Sequence, residues 1–240
     1  MKPIEAVVGR LAMAGRRPCG ACDRPSPAAL CRACLGASRA GRRLHVDTST
    51  KLAPLTGLYH FGYYHRGGAA GKTSPLAAAL VRFKYGRERA RGHALAWLFR
   101  RYGGWLAAHA DVVVPVPLHR RRLLERGFNP AAWFARAYAR AGGLRLEPDA
   151  IVKRVDDQAQ ASLGAHARRR ARGRFRACRV RVEGRSVLLV DDVFTTGATT
   201  RDCARTLVAS GATRVTALVL LVAEAGGGRD GRLAARTTDP

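Results

Sequence analysis

The chain alternates short stretches that are apolar throughout with longer stretches in which apolar residues recur at helical spacing. Val112-Val113-Val114, Val187 to Val190 and Val215 to Val222 are near-continuous apolar runs, the signature of strands covered on both faces of a sheet. Ala94, Leu95, Leu98, Phe99 and Tyr102 return at every third or fourth position and predict a helix over Arg87 to Arg101, stopped by Gly103-Gly104. Thr73-Ser74-Pro75 sets a cap and a first-turn proline ahead of a helix at Leu76 to Phe83. Asn129-Pro130 does the same for a helix closing at Gly142-Gly143. Ala198 to Ser210 reads as a further helix, stopped by Gly211. Strand, helix and strand from Val187 to Val222 form a βαβ unit, which implies parallel pairing because the crossover helix returns the chain to the same end of the sheet. Leu55 to His65 alternates aromatic residues in the manner of a hairpin strand. Pro115 and Pro117 cannot donate to a ladder and close the first apolar strand. The pattern predicts an α/β fold with a central parallel sheet flanked by helices.

Composition changes this picture little, but charge adds to it. Hydrophobic residues make up 47% of the 240, a globular proportion. Forty-three Lys and Arg against seventeen Asp and Glu give a formal charge of +26, a field that attracts polyanions such as nucleic acid, nucleotides or an anionic membrane surface. Only Lys2, Lys51, Lys72, Lys84 and Lys153 are lysines, and Ala and Gly are abundant. That is also the mark of GC-rich coding, so charge alone divides evenly between nucleic-acid contact and drift. Met1 to Gly15 carries Glu5 and Arg10 inside its apolar patch, which argues against a signal peptide. No apolar run approaches the ~20 residues that cross a bilayer, and a cytoplasmic protein is expected.

Four of the six cysteines cluster near the N-terminus. Cys19-Gly20-Ala21-Cys22 and Cys31-Arg32-Ala33-Cys34 are two C-x-x-C units eight residues apart. Each can turn its thiolates toward one ion, and together they complete a tetrahedral site for structural zinc (Zn) in a ribbon with almost no core of its own. An iron–sulfur cluster or a redox pair uses the same residues and stays open at this point. Cys178 and Cys203 lie in apolar-patterned segments and read as small buried hydrophobes. The seven histidines show no ligand spacing.

Val187 to Thr200 is the most informative segment. An apolar strand delivers Asp191 and Asp192 at its end, and Val193-Phe194-Thr195-Thr196-Gly197-Ala198-Thr199-Thr200 opens a helix. Backbone N–H groups of such a loop, with the helix dipole, form a nest for a phosphate monoester. Gly197 permits close approach of the backbone. Carboxylates repel a phosphate, but they suit hydrogen bonds from vicinal ribose hydroxyls. The plain alternative is a βα turn in which Asp192 and the threonines merely cap a helix.

Val-Asp-Asp-Val-x-Thr-Thr-Gly-Ala-Thr closely resembles the signature by which type I phosphoribosyltransferases bind 5-phosphoribosyl-1-pyrophosphate (PRPP). The resemblance implies that Asp191 and Asp192 hold the ribose and that Thr195, Thr196, Gly197, Ala198 and Thr199 hold the 5-phosphate. Val114-Pro115-Val116-Pro117-Leu118, Arg126-Gly127-Phe128-Asn129, the Lys84-Tyr85 pair and Gln160-Ala161-Ser162-Leu163 with Arg168 to Arg170 resemble elements of the ComF (competence protein F) family. That likeness spans Cys19 to about Ala223, and its relatives often carry a zinc ribbon. It adds Pro117 and Leu118 to the PRPP site, and Lys84 and Arg126 to the catalytic residues beside the acid pair. Ala171 replaces a usual Asn, and Asp156 and Asp157 stand where a Thr is usual, which puts the acceptor in doubt more than PRPP. The loop after the Val112 to Val114 strand is the natural pyrophosphate site, with Leu118-His119-Arg120-Arg121-Arg122 supplying cations; the alternative is a solvated basic run. PRPP normally travels with Mg²⁺ (Mg).

The expected organisation is a zinc-ribbon segment over 1–45, a phosphoribosyltransferase domain over 46–224 with a small hood at Leu55 to Gly86, and a frayed tail over 225–240. ComF resemblance implies natural transformation, with single-stranded DNA and a competence helicase as partners. The competing class is a metabolic phosphoribosyltransferase acting on a base or other small nucleophile.

Overall fold

The computed structural model describes residues 17–40, 45–64, 73–102, 104–154, 175–223 and 236–237. The strands β1 (Arg17–Pro18) and β2 (Pro25–Ser26) and the helix α1 (Arg32–Ala37) carry the clustered cysteines. β3 (His45–Asp47) and β4 (Gly57–Tyr64) lead into α2 (Pro75–Gly86), α3 (Arg89–Tyr102) and the single turn α4 (Gly104–Ala107). Then come β5 (Val112–Pro115), α5 (Arg120–Arg126), α6 (Pro130–Gly142) and β6 (Arg145–Leu146). After them follow β7 (Ile151–Lys153), β8 (Phe175–Ala177), α7 (Arg179–Val182), β9 (Ser186–Phe194), α8 (Ala198–Ala209), β10 (Arg214–Ala223) and β11 (Arg236–Thr237).

The main sheet has the order β11-β3-β4-β10-β9-β5-β6. β4, β10, β9, β5 and β6 are parallel, and β3 and β11 add an antiparallel edge. Alternation along the strands explains their unbroken apolar runs. Val113, Leu188 and Val190 face Leu80, Phe83, Leu95 and Phe134 of the helices α2, α3 and α6. Val112, Val114, Val187 and Leu189 face Cys203, Ala204 and Leu207 of α8. With both faces covered, neither alternate set reaches water. Burying one such Leu or Phe contributes about 1.5–3 kcal/mol, and Phe99, stacked on Phe134 at 4.8 Å, joins α3 to α6.

Local signals read from the sequence hold at the caps. The Asn129 side-chain oxygen accepts from the Ala131 N–H at 3.0 Å, and Gly143 ends α6 in the left-handed region at φ 64°. Ser74 precedes Pro75 as expected, but its hydroxyl donates to the Tyr63 carbonyl and so ties α2 to the end of β4. The expected α/β class, a parallel sheet with flanking helices beside a four-cysteine cluster, is the one observed.

Several expectations are corrected. Leu55 to Gly86 does not form the hood: β4 is an interior strand, hydrogen-bonded parallel to β10 from Gly57 to Tyr64, and α2 packs on the core. The separate β7–β8 pair stands beside the site, where a hood would lie, with Lys153 reaching the cleft. Arg120 to Arg122 belong to a helix rather than a loop, because His119 caps α5 and Gly127 ends it in the left-handed region. Cys203 is buried as expected, but Cys178 is exposed at the start of α7. Of the tail, Arg236 and Thr237 pair with β3. Met1 to Gly15, Asp156-Asp157, Gln160 to Leu163, Arg168 to Ala171 and the rest of the tail lie outside the described residues. Among the described residues no helix is long and apolar enough to cross a membrane.

Candidate functional site

β5 and β9 are neighbours, with Val114 opposite Leu189 and Pro115 opposite Val190. Their carboxyl ends therefore open side by side, the place where ligands of open α/β sheets bind. The Val116 N–H donates to the Val190 carbonyl at 2.8 Å, after which Pro117 turns away. Asn129 holds that turn, donating from its side chain to the Val116 carbonyl at 2.9 Å. A cleft of about 220 Å³ lies between the strand ends. Lys84, Arg126, Pro117, Leu118, Asp191, Asp192 and the loop from Thr195 to Thr199 all line it. The acid pair, the Thr195 to Thr199 loop, Pro117, Leu118, Lys84 and Arg126 thus share one place.

The two acids differ. Asp192 pairs with Lys84 from α2 at 2.7 Å, and both side chains are largely buried, at 15% and 17% exposed. Asp191 accepts from the Asp192 N–H at 2.8 Å. Burial, and then the adjacent Asp192 charge, push its pKa up to about 7, against the opposing pull of that N–H, Lys84 and Thr200. One carboxylate is paired with a lysine, and its neighbour titrates near neutrality. Together they present acceptor oxygens to hydroxyl groups at the cleft wall.

Below the acids the chain makes a donor-rich nest. Gly197 caps α8 at φ 71°, and a side chain there would drive its Cβ into the Phe194 ring at 2.1 Å. Glycine is therefore required twice, for conformation and for space. The Thr196 hydroxyl accepts from the Ala198 N–H at 3.4 Å, and Arg201 donates to the Thr196 carbonyl at 2.8 Å, bracing the loop from outside. The first turn of the twelve-residue α8, Ala198 to Thr200, lines the cleft, so the positive end of its dipole lies at the cleft wall.

Opposite the nest the lining is basic, with Lys84, Arg122, Arg126 and Lys153. Of the run Arg120 to Arg122, only Arg122 lines the cleft; Arg121 pairs with Glu125 in solvent. A second cleft of about 320 Å³ shares Lys84, Tyr85, Arg122 and Arg126 with the first and adds Arg87 and Glu125. Tyr85 is 70% exposed there, with the Arg126 guanidinium 5.0 Å from its ring centre.

In the sequence Tyr85 reads as a motif residue and an aromatic able to stack on a base, Arg122 as one of a basic run, and Asn129 as a cap within the Arg-Gly-Phe-Asn element. Lys153 and Thr200 carried no signal of their own. Lys153 arrives through β7, and Thr200 stands one position past the matched loop, where a buried hydroxyl supports Asp191.

The four clustered cysteines converge, all sulfurs lying within 4.8 Å of one another. Four thiolates about 2.3 Å from one tetrahedral zinc stand about 3.8 Å apart, and the Cys22 and Cys31 sulfurs are 3.7 Å apart. The set fits that ion. The Cys19 sulfur is buried, which opposes ionisation, but N–H groups of Cys31 and Ala21 point at it and bring its pKa down to about 7. Burial and the neighbouring sulfurs of Cys22 and Cys31 raise Cys34 instead.

No family model matches the chain. It is similar to the DNA utilization protein YhgH of Salmonella typhi, 30% identical over 199 residues, covering 82% of this chain and 80% of that protein. YhgH of Escherichia coli O6:H1 is 30% identical over 148 residues, 59% of this chain, and the match spans 64% of that relative's length. Competence protein ComFC of Bacillus subtilis is 33% identical over 100 residues, 42% of this chain and 39% of that one. Among solved structures, glutamine PRPP amidotransferase from B. subtilis, complexed with ADP and GMP, is 25% identical with a TM-score of 0.39, covering 54% of this chain and 26% of that one. PRPP synthetase from Mycobacterium smegmatis is 22% identical with a TM-score of 0.35, over 53% and 33%. Similarity to YhgH at 30% identity over 80% of that relative, with the likeness to ComFC, makes this chain a member of the ComF family.

Proposed function

We propose that the cleft binds PRPP with Mg²⁺ and that the chain serves the uptake and use of single-stranded DNA. The observation that carries the PRPP reading is the joining, in one cleft, of an acid pair to a glycine-centred nest of N–H donors with cations opposite. Asp191 and Asp192 accept from the ribose 2′ and 3′ hydroxyls, and Thr195, Thr196, Gly197, Ala198 and Thr199 take the 5-phosphate. Pro117 and Leu118 face the pyrophosphate, whose charge Lys84 and Arg126 offset. Mg²⁺, carried on the pyrophosphate, neutralises further charge. If a nucleophile displaces pyrophosphate at C1, the chain contributes position and charge stabilisation rather than covalent chemistry. The cysteine cluster holds zinc and folds the segment before residue 45.

The names of the YhgH and ComFC relatives support the role in DNA use. So does the second basic cleft, where an exposed tyrosine beside an arginine suits a stacked base. On this reading the protein works in the cytoplasm beside a competence helicase. Calorimetry with PRPP and Mg²⁺ tests the site: replacing both acids, Asp191→Asn with Asp192→Asn, should weaken PRPP by about 10- to 100-fold, the loss of one or two charge-assisted hydrogen bonds. Unchanged affinity would remove the assignment. Pyrophosphate release with a base but not with DNA would favour the metabolic transferase.

A further inference from the structure

Arg91, on the first turn of α3, is a charged residue only 4% exposed, and the PRPP reading gives it no role. Its guanidinium donates in three directions: to the Gly20 carbonyl at 3.0 Å, to the Asp23 carboxylate at 2.8 Å and to the Glu88 carboxylate at 2.7 Å. Gly20 and Asp23 belong to the turn of the first cysteine pair. Glu88 lies in the connection between α2 and α3, and its other oxygen accepts from Arg82 of α2 at 2.7 Å. Arg82 in turn lies 3.5 Å from Asp23. Two arginines and two acids thus close a ring that ties the cysteine turn to the corner between the helices.

Packing reinforces the ring. A side chain on Gly20 would place its Cβ 2.1 Å from that of Ala94, and one on Gly92 would enter the Phe83 ring at 2.3 Å. The cysteine turn is therefore pressed on α3, and α3 on α2. Lys84 follows Phe83 on α2 and is the residue that reaches Asp192. The path from the cysteines to the acid pair has few joints: turn, ring of charges, helix corner, lysine. Asp23 itself is held in the left-handed region at φ 61°, so the turn offers its carboxylate in one defined place.

We infer that Arg91 is a positioning residue that couples the metal-bound cysteine turn to the placement of Lys84 in the PRPP cleft. The inference rests on the PRPP reading for its ligand but not for its structural half. Metal holding the four sulfurs fixes Gly20 and Asp23; these fix Arg91 and Glu88; and the helix corner then sets Lys84 against Asp192. Loss of the metal frees the turn, and the corner loosens with it. Because linkage is reciprocal, bound PRPP tightens metal to the same degree.

Two measurements on the full-length, zinc-loaded chain test this. Hydrogen exchange over residues 75–91 should rise when a chelator removes zinc, and in Arg91→Met it should already be raised while zinc content stays at the wild-type level. PRPP affinity should fall by about ten-fold on zinc removal in the wild type, within the usual range of coupling between sites. In Arg91→Met with zinc bound, it should be weak from the start and indifferent to the chelator. Loss of stability alone would lower melting temperature without abolishing that dependence. Should Arg91→Met not fold, Asp23→Asn serves, since Asn tolerates the left-handed backbone and removes only the charge on the ring. Exchange over 75–91 that ignores zinc would overturn the coupling. If zinc-loaded wild type does not bind PRPP at all, the PRPP reading fails and the exchange arm still decides the linkage.

Discussion

Asp191 and Asp192 sit next to each other at the end of β9, and burial, with the adjacent Asp192 charge, drives the Asp191 carboxyl from an ordinary 3.8 to about 7. A carboxyl raised in the folded state binds its proton more tightly there than in the unfolded chain. Stability from this group is fully present below the unfolded value and is lost as pH rises through about 7. Asparagine keeps the oxygen that accepts from the Asp192 N–H and carries no charge. Asp191→Asn should therefore leave stability nearly unchanged at acid pH and raise it at pH 8 by up to about 4 kcal/mol, roughly 10 °C in a chain of this size. Thermal melts of both proteins across pH check this, and a gain independent of pH would contradict it. The same substitution weakens the proposed ribose contact, so the acid is kept at the expense of stability.

At the scale of an element, the cysteine segment shows what spacing conveys and what it does not. Two C-x-x-C units specify a four-sulfur cluster because each places two sulfurs on one side of a tight turn. Purified protein should contain about one zinc per chain by elemental analysis, and a coloured iron species would reject that ion. Cys22→Ser removes one ligand and should loosen residues 17–40 while the sheet still melts cooperatively. Near-ultraviolet circular dichroism and limited proteolysis separate the two effects. Spacing did not reveal that Cys19, Leu30 and Cys34 pack in the same apolar cluster as Phe83, Leu95 and Leu98. The reverse error occurred at β4. Its aromatic alternation reads as a hairpin strand, but Leu58 and Phe61 fall in different halves of the core and the strand is interior, parallel to β10.

At the scale of the whole molecule, forty-three Lys and Arg share seventeen Asp and Glu. Glu147 is shared by Arg145 and Arg181, Asp23 and Glu88 are taken by Arg82 and Arg91, and Arg205 meets Asp202. At the two clefts Lys84, Arg87, Arg122 and Arg126 meet around Tyr85. Single-stranded DNA should bind there without sequence preference, with affinity falling against salt by a slope of ~0.7 per phosphate neutralised. Tyr85→Ala should cost about 1–3 kcal/mol of that affinity, the scale of one base stacked on an aromatic ring. Fluorescence anisotropy at several salt concentrations, with and without saturating PRPP, reads all three quantities. A PRPP-dependent shift places the strand across the shared residues. Absence of binding at roughly 0.15 M salt would return the charge to coding drift.

What the sequence determined by itself was local or periodic. Continuous apolar runs announce strands covered on both faces, Asn129-Pro130 and Gly143 mark where α6 begins and ends, and Val187 to Thr200 holds strand, acids and nest in one contiguous stretch. Such signals survive in one dimension because neighbours in the chain create them. Tertiary structure decided whatever depends on residues far apart. The pairing of Lys84 with Asp192 joins positions 108 apart, and Lys153 and Asn129 enter the cleft only because β7 and α6 end beside it. Cys178 and Cys203 look alike in sequence, yet one lies exposed before a short helix and the other beneath the sheet. Strand order, which put β4 inside and β6 at an edge, is set by which faces the helices can cover, and no single segment carries that information.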